Sequence, residues 1–436
     1  MGEASTHLLD YDDKRMRAMS SRSYRTKQPA VNGNQFVSGG SVIQFDIPAN
    51  QSKTFLDMEA TYFLVEIENL AAADTGNVAF EGTNGAYGMI EKLECLSAGQ
   101  TLFTVDQYGL LQSVMSSMET NTLYGANVGT VLAGSGGTAY TGVTVAFGAK
   151  RTVALPLQLN GLYNANKYIP LFSRDKLSFR ITIADARVGA ISTDAAGTTV
   201  TAGGLRFNNP ELVCHQVELG SEAMEAVGSA VDYQFDLVST DYRHTSAVLA
   251  AGATSAVVNL GFAFSSCNKI ISTMRTSSLI AGDTARAVAS IGSRNKNGLN
   301  KACILLNGAK IPQREVLASD TNIAETMAEL LIAQGSLASL AHSSRINDGG
   351  GFGLNTAAGT ANGTVGSFVS VIGLENMRSD SDGLYSGVSS IGSVLQLELG
   401  FNAGGVAAAN TLDVFCEYTS QYSLNMLGEQ LFQVSV

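Results

Sequence analysis

The stretch Ile43-Gln44-Phe45-Asp46-Ile47 alternates apolar and polar side chains, and nearly the same word returns as Tyr233-Gln234-Phe235-Asp236-Leu237. Alternation of period two marks a strand with one buried and one wet face. Four further landmarks recur in the same order. Cys95 before Gly99 returns as Cys303 before Gly308, and Leu162-Tyr163 as Leu384-Tyr385. Phe179-Arg180-Ile181-Thr182-Ile183 returns as Leu395-Gln396-Leu397-Glu398-Leu399, and Cys214 as Cys416. Short apolar words match by chance, but a shared order points to two copies of one β-rich domain.

The reading extends outward from these words. Strands are expected at 42–47, 61–68, 89–96, 101–105, 152–159, 176–183 and 211–219, with a hairpin turn at Ser97-Ala98-Gly99-Gln100. Asp106 reads as a helix N-cap, followed by Tyr108, Leu111, Met115 and Met118 at helical spacing. The second half repeats the helix: Asn322 with Glu325 resembles a capping box, and Ile323, Met327, Leu330 and Leu331 form the apolar face. A glycine-rich loop is expected at 125–148, and the halves join near 220–230. Short alternating strands with long connections predict an all-β chain: two tandem eight-stranded antiparallel jelly rolls with short inserted helices and long glycine-rich loops. The expected division is an arm at 1–40, a first roll at 41–222, and a second roll with a short C-terminal tail at 223–436.

Composition narrows the class. The 436 residues suit two domains rather than one core. Charged residues make up 15% of the chain, against about 25% in an ordinary soluble domain, so a surface this poor in charge suits broad protein contacts. No apolar run reaches the roughly 18 residues needed to span a bilayer, and the N-terminus lacks an apolar signal core. The five cysteines are widely spaced in apolar sequence and read as reduced, buried hydrophobes of a protein made inside the cell. Charge is uneven: Lys14, Arg15, Arg17, Arg22, Arg25 and Lys27 form a basic run without an acid. Residues 1–28 hold six bases and four acids, or +2, and the whole chain is −11, so the remainder carries −13. The run reads as a solvated tail, as a contact for a polyanion such as nucleic acid or an acidic membrane surface, or as a strap onto a neighbouring subunit.

Catalytic signatures are sparse. Gly148-Ala149-Lys150-Arg151-Thr152 has the wrong spacing for a phosphate-binding loop. Asp74-Thr75-Gly76 occurs once, where acid proteolysis needs two carboxylates sharing a proton. His215 beside Cys214 on a strand points to the opposite face. Asp380-Ser381-Asp382-Gly383 lacks the later ligands of a calcium loop, and Asn362-Gly363-Thr364 reads as an unused glycosylation sequon. No enzyme activity, cofactor or metal is expected.

Two tandem jelly rolls with inserted helices resemble the double jelly-roll major capsid proteins of adenovirus, tailless membrane-containing phages and large DNA viruses. The resemblance covers residues 42–424. It draws on words such as Lys53-Thr54-Phe55-Leu56-Asp57 before Thr61-Tyr62-Phe63-Leu64, and Tyr168-Ile169-Pro170-Leu171 before the strand at 177–183. It implies a virion protein forming homotrimeric, pseudo-hexameric capsomers that tile an icosahedral shell. Partners would be sister capsomers, penton and minor capsid proteins, with the basic arm facing genome or internal membrane. The competing reading is a carbohydrate- or receptor-binding β-sandwich, although this chain has no Trp to stack on sugars.

Overall fold

The structure, a computed structural model, describes residues 21–49, 51–71, 76–119, 127–136, 141–192, 200–201, 203–276, 290–319, 322–335, 337, 366–375, 387–406, 409–427 and 431–436. The first half contains strands β1 (Ser21–Pro29), β2 (Val42–Ile47), β3 (Thr54–Asn69), β4 (Ile90–Ser97), β5 (Gln100–Asp106), β6 (Lys150–Pro156), β7 (Leu177–Ile183) and β8 (Leu205–Leu219). They form two antiparallel sheets, β1-β8-β3-β6 facing β2-β7-β4-β5. Helix α1 (Tyr108–Glu119) lies between β5 and β6 in sequence, and helix α2 (Ser221–Ala230) leads into the second half.

The second half contains β9 (Gln234–Leu249), β10 (Ser255–Asn259), β11 (Cys267–Thr276), β12 (Leu299–Leu306), β13 (Ala309–Leu317), β14 (Ser370–Gly373), β15 (Leu395–Phe401) and β16 (Asn410–Asn425). Helix α3 (Ala324–Ala333) lies between β13 and β14, and β17 (Phe432–Ser435) adds to β16. The sheets are β9-β16-β11-β14 and β10-β15-β12-β13. Adding eight to each strand of the first roll gives the second. The chain is two tandem jelly rolls of one topology.

Each core follows from strand alternation. In β3, Phe63, Val65 and Ile67 are buried, as are Ile43, Phe45 and Ile47 in β2 of the facing sheet. Phe45 and Phe63 meet edge-on between the sheets, ring centroids 5.8 Å apart, a geometry favoured by the ring quadrupoles. Both β4–β5 and β12–β13 turn on two residues of positive φ, Ala98 (51°) with Gly99 (79°) and Asn307 (50°) with Gly308 (83°). This is the primed turn whose twist suits a tight hairpin.

Several expectations need correcting. Strands begin at Ser21 rather than Val42, because β1 is polar on both faces and carries no apolar alternation. The opening word match pairs non-equivalent strands. β2 corresponds to β10, whereas Tyr233–Leu237 leads into β9, the counterpart of β1. β7 and β15 are equivalent, but Ser97 pairs with Leu177 and Leu306 with Leu395, two residues from the register suggested by the words. Asp106 ends β5, and Gln107, with φ 53°, turns the chain into α1. Ile323 is the N-cap of α3 without a side-chain cap, and Glu325 pairs with Arg314 instead. The stretch 54–60 belongs to β3 itself, and the loop at 125–148 holds a helical turn, Val128–Leu132, and a strand, Thr141–Val145. Leu384-Tyr385, Asp74-Thr75, residues 380–383 and the sequon lie outside the described residues.

Candidate assembly surface

The basic run divides. Lys14, Arg15 and Arg17 lie outside the described residues. Arg22, Arg25 and Lys27 sit on β1, at the edge of its sheet, and all three are exposed. Strand alternation separates them. Arg22 shares a face with Tyr24, its guanidinium carbon 5.3 Å from the ring centroid. Arg25 and Lys27 share the opposite face, in register with His215 and Val213. Lys27 Nζ lies 2.9 Å from Glu211 Oε2, and the Glu211 hydrogen bond and charge raise the lysine's pKa. His215 Nδ1 is 3.0 Å from Asp57 Oδ2, while the Cys214 thiol is buried and faces the Leu212 carbonyl, so strand geometry separates these two neighbours. Lys150, at the start of β6, is ion-paired with Glu66 of β3. Among the described residues, no group of three or more His, Cys, Asp or Glu could hold a metal ion.

The two rolls meet at an aromatic contact. Phe235, at the start of β9, packs against both Phe55 and Phe172 of the first roll, with centroid separations of 6.1 and 5.0 Å, and those two rings are themselves 6.2 Å apart. Asn164 Nδ2 donates to the Thr240 carbonyl on the edge of β9 at 2.8 Å. β9 also packs against β5 and the helical turn Gly161–Asn164. Gly161 has no room for a side chain, since a Cβ there would overlap the Tyr422 ring and hydroxyl. Beneath this contact lies Asp241, fully buried, with Tyr242 N donating to Oδ1 at 2.8 Å and the Tyr418 and Tyr422 hydroxyls each 3.4 Å from Oδ2. Burial drives its pKa up to about 7, against the pull of these hydrogen bonds.

A second contact is polar and deeper. Residues 291–297, Ile-Gly-Ser-Arg-Asn-Lys-Asn, are all buried. Ile291 lies against Gly88 and Gly292 against Glu81, so the second roll sends a plug into the first. Arg294 is 1% exposed, and its Nη2 donates to Ser117 Oγ of α1 at 2.6 Å. Burial lowers its pKa to about 10, with Glu81 opposing the shift. Within the second roll, Asp413 is held by Arg275 Nε at 2.8 Å and His244 Nε2 at 3.0 Å. Burial opposes its ionisation, but the Arg275 charge and these hydrogen bonds win and lower its pKa. The sequence reading missed both clusters: a lone Arg or Asp in a strand carries no motif.

No protein-family model and no curated protein matches the chain. Solved structures do. PBCV-1 VP54, fitted into a reconstruction of the virophage Sputnik, aligns over 97% of this chain and 98% of its own, with TM-score 0.63 and 11% identity. The Faustovirus major capsid protein aligns over 95% and 92%, with TM-score 0.60 and 10% identity. The mavirus major capsid protein aligns over 100% and 95%, with TM-score 0.53 and 11% identity. The chain therefore has the double jelly-roll fold that these viral major capsid proteins share, over essentially its whole length.

Proposed function

We propose that this chain is a major capsid protein, a structural and non-enzymatic component of an icosahedral virion. It forms homotrimers whose six rolls give a pseudo-hexagonal capsomer. These tile the shell beside penton and minor capsid proteins. The observation that carries the reading is the twin rolls of one strand permutation, shared end to end with capsid proteins of large DNA viruses and virophages. Physics supports it: open sheets have edges that must be covered, and like copies cover them. Light scattering of the purified protein should give three times the chain mass, and electron microscopy should show hexagonal particles. A monomer at every concentration and salt would sink the proposal. The rival carbohydrate-binding reading would instead give a monomer or dimer with a clear hit on a glycan array.

The basic run is proposed to face a polyanion inside the shell, genome or anionic membrane. Because β1 occupies Ser21–Pro29, the clean test neutralises Lys14, Arg15 and Arg17 to Gln and leaves that strand whole. The slope of log affinity against log salt should flatten by roughly 2–3. Loss of trimers in this variant would make the run a subunit strap.

A further inference from the structure

The five cysteines are all buried and free, but they are not alike. Cys214 of β8 and Cys416 of β16 hold the same place in the two rolls. Two residues beyond Cys214, Gln216 pairs with Leu56 of β3; two residues beyond Cys416, Tyr418 pairs with Cys267 of β11. Ile169–Leu56 and Val388–Cys267 are the corresponding bridges on the other side. Cys267 therefore stands where the first roll has Leu56. The second roll has two thiols on neighbouring strands where the first roll has one thiol and an isobutyl group. Alternation puts Tyr418 and Cys416 on one face of β16. The register slips just after Cys267, a bulge of the kind that re-aims side chains.

The surroundings of Cys267 favour its thiolate. A hydrogen bond shared with the Cys416 thiol, helped by Ser390 and the Phe264 backbone, outweighs burial and brings its pKa down to about 7, while that of Cys416 rises. Ser390 Oγ lies 3.3 Å from Cys267 Sγ. Burial has the opposite effect on the other thiols: it raises Cys95, pushes Cys214 up to about 12 and Cys303 up to about 11. The thiolate is the reacting form, so Cys267 alone of the five is part-ionised at neutral pH. It opens β11, Ser265 just before it is exposed, and its bridge partner Val388 is only half-buried. A slight fraying at this strand end admits a small solute.

We propose that Cys267 and Cys416 are a redox pair that a peroxide converts to a disulfide within the second roll. The Cys267 thiolate attacks one peroxide oxygen, the O–O bond breaks, and hydroxide leaves Cys267 as a sulfenic acid. The Cys416 sulfur then attacks the sulfenic sulfur; the S–S bond forms, and the S–O bond breaks with loss of water, which takes the Cys416 proton. Two thiols are oxidised and one peroxide is reduced to two waters. The bridge staples β11 to β16, the central strands of their sheet. A shell that leaves the reducing interior of a cell would meet such an oxidant; only this setting, and not the chemistry, rests on the capsid reading.

The test uses the full-length wild type, reduced, freed of reductant and treated at neutral pH with a slight excess of hydrogen peroxide. Remaining thiols are alkylated in denaturant, and peptides are mapped by mass spectrometry without reduction. One peptide pair joining Cys267 to Cys416 is expected, with Cys95, Cys214 and Cys303 alkylated, so that free thiols fall from five to three. The oxidised protein should melt several degrees above the reduced one, because a cross-link between distant residues restricts the unfolded chain. In Cys416→Ser the reaction should stop at the Cys267 sulfenic acid, which a 1,3-diketone traps. The wild-type map decides even where a variant fails to fold. Five alkylated cysteines after peroxide, or a bridge joining any other pair, would overturn the proposal. Neither result touches the mass measured by light scattering, so the capsid reading stands or falls separately.

Discussion

Strands β1 and β9 hold the same place in two copies of one fold, yet their surroundings differ. β9 runs 16 residues, presses the Phe235 ring toward the neighbouring roll and holds the buried Asp241 carboxyl. β1 runs nine residues, and its exposed face carries Arg25 and Lys27. Duplication supplies equal scaffolds. Which edge acquires apolar anchors depends on which edge has a permanent neighbour. An edge always covered can hold groups that water would otherwise solvate. An edge open in the single chain holds charge, which keeps it from pairing at random.

The largest expected effect contrasts ion pairs across the same two strands of each roll. Arg275→Leu leaves the Asp413 charge buried and should destabilise by about 3–5 kcal/mol. Arg206→Leu breaks the more exposed Glu68 pair of the first roll and should change stability by about 1 kcal/mol or less. Equal shifts in urea midpoint would break the contrast. Next comes pH. Asp241 has a folded pKa of about 7, well above the unfolded value of about 3.9. Between those values the native state binds more protons than the unfolded chain, so stability falls as pH rises from about 4 to 7. The total is roughly 4 kcal/mol at most. Asp241→Asn should flatten the difference between pH 5 and pH 8.

Smaller effects sharpen the comparison. Gly161→Ala forces a methyl group into Tyr422 and should lower stability by about 1–3 kcal/mol, read as a lower melting temperature. Lys27→Ala should leave the melting temperature unchanged, since the pair with Glu211 lies in water. A clear drop would mean that β1 is held more firmly than its exposure implies.

The fold was legible where side chains alternate and turns demand special residues. Gly99 and Gly308, Cys95 and Cys303, and Cys214 and Cys416 all fall on equivalent strands or turns. A helix after β5 and after β13 was also readable from apolar spacing. What failed was the edge. Ser21-Arg22-Ser23-Tyr24-Arg25-Thr26-Lys27 has no apolar face, because a short outer strand is held by backbone pairing more than by burial, and sequence periodicity reports only burial. The false match of Ile43–Ile47 with Tyr233–Leu237 follows from that omission: with β1 unseen, the first visible strand of one half was set against the first strand of the other. The contact between rolls was illegible for another reason. Phe235, Asp241 and Arg294 acquire their roles only from partners far along the chain.

The plug at 291–297 ties the fate of the two halves together. Pulling them apart would strand the Arg294 guanidinium without Ser117 and open the floor beneath Glu81. Neither half is then a self-sufficient module, and heat or denaturant should melt the molecule in one cooperative step. A gene split at helix α2 would yield fragments that survive only by finding each other.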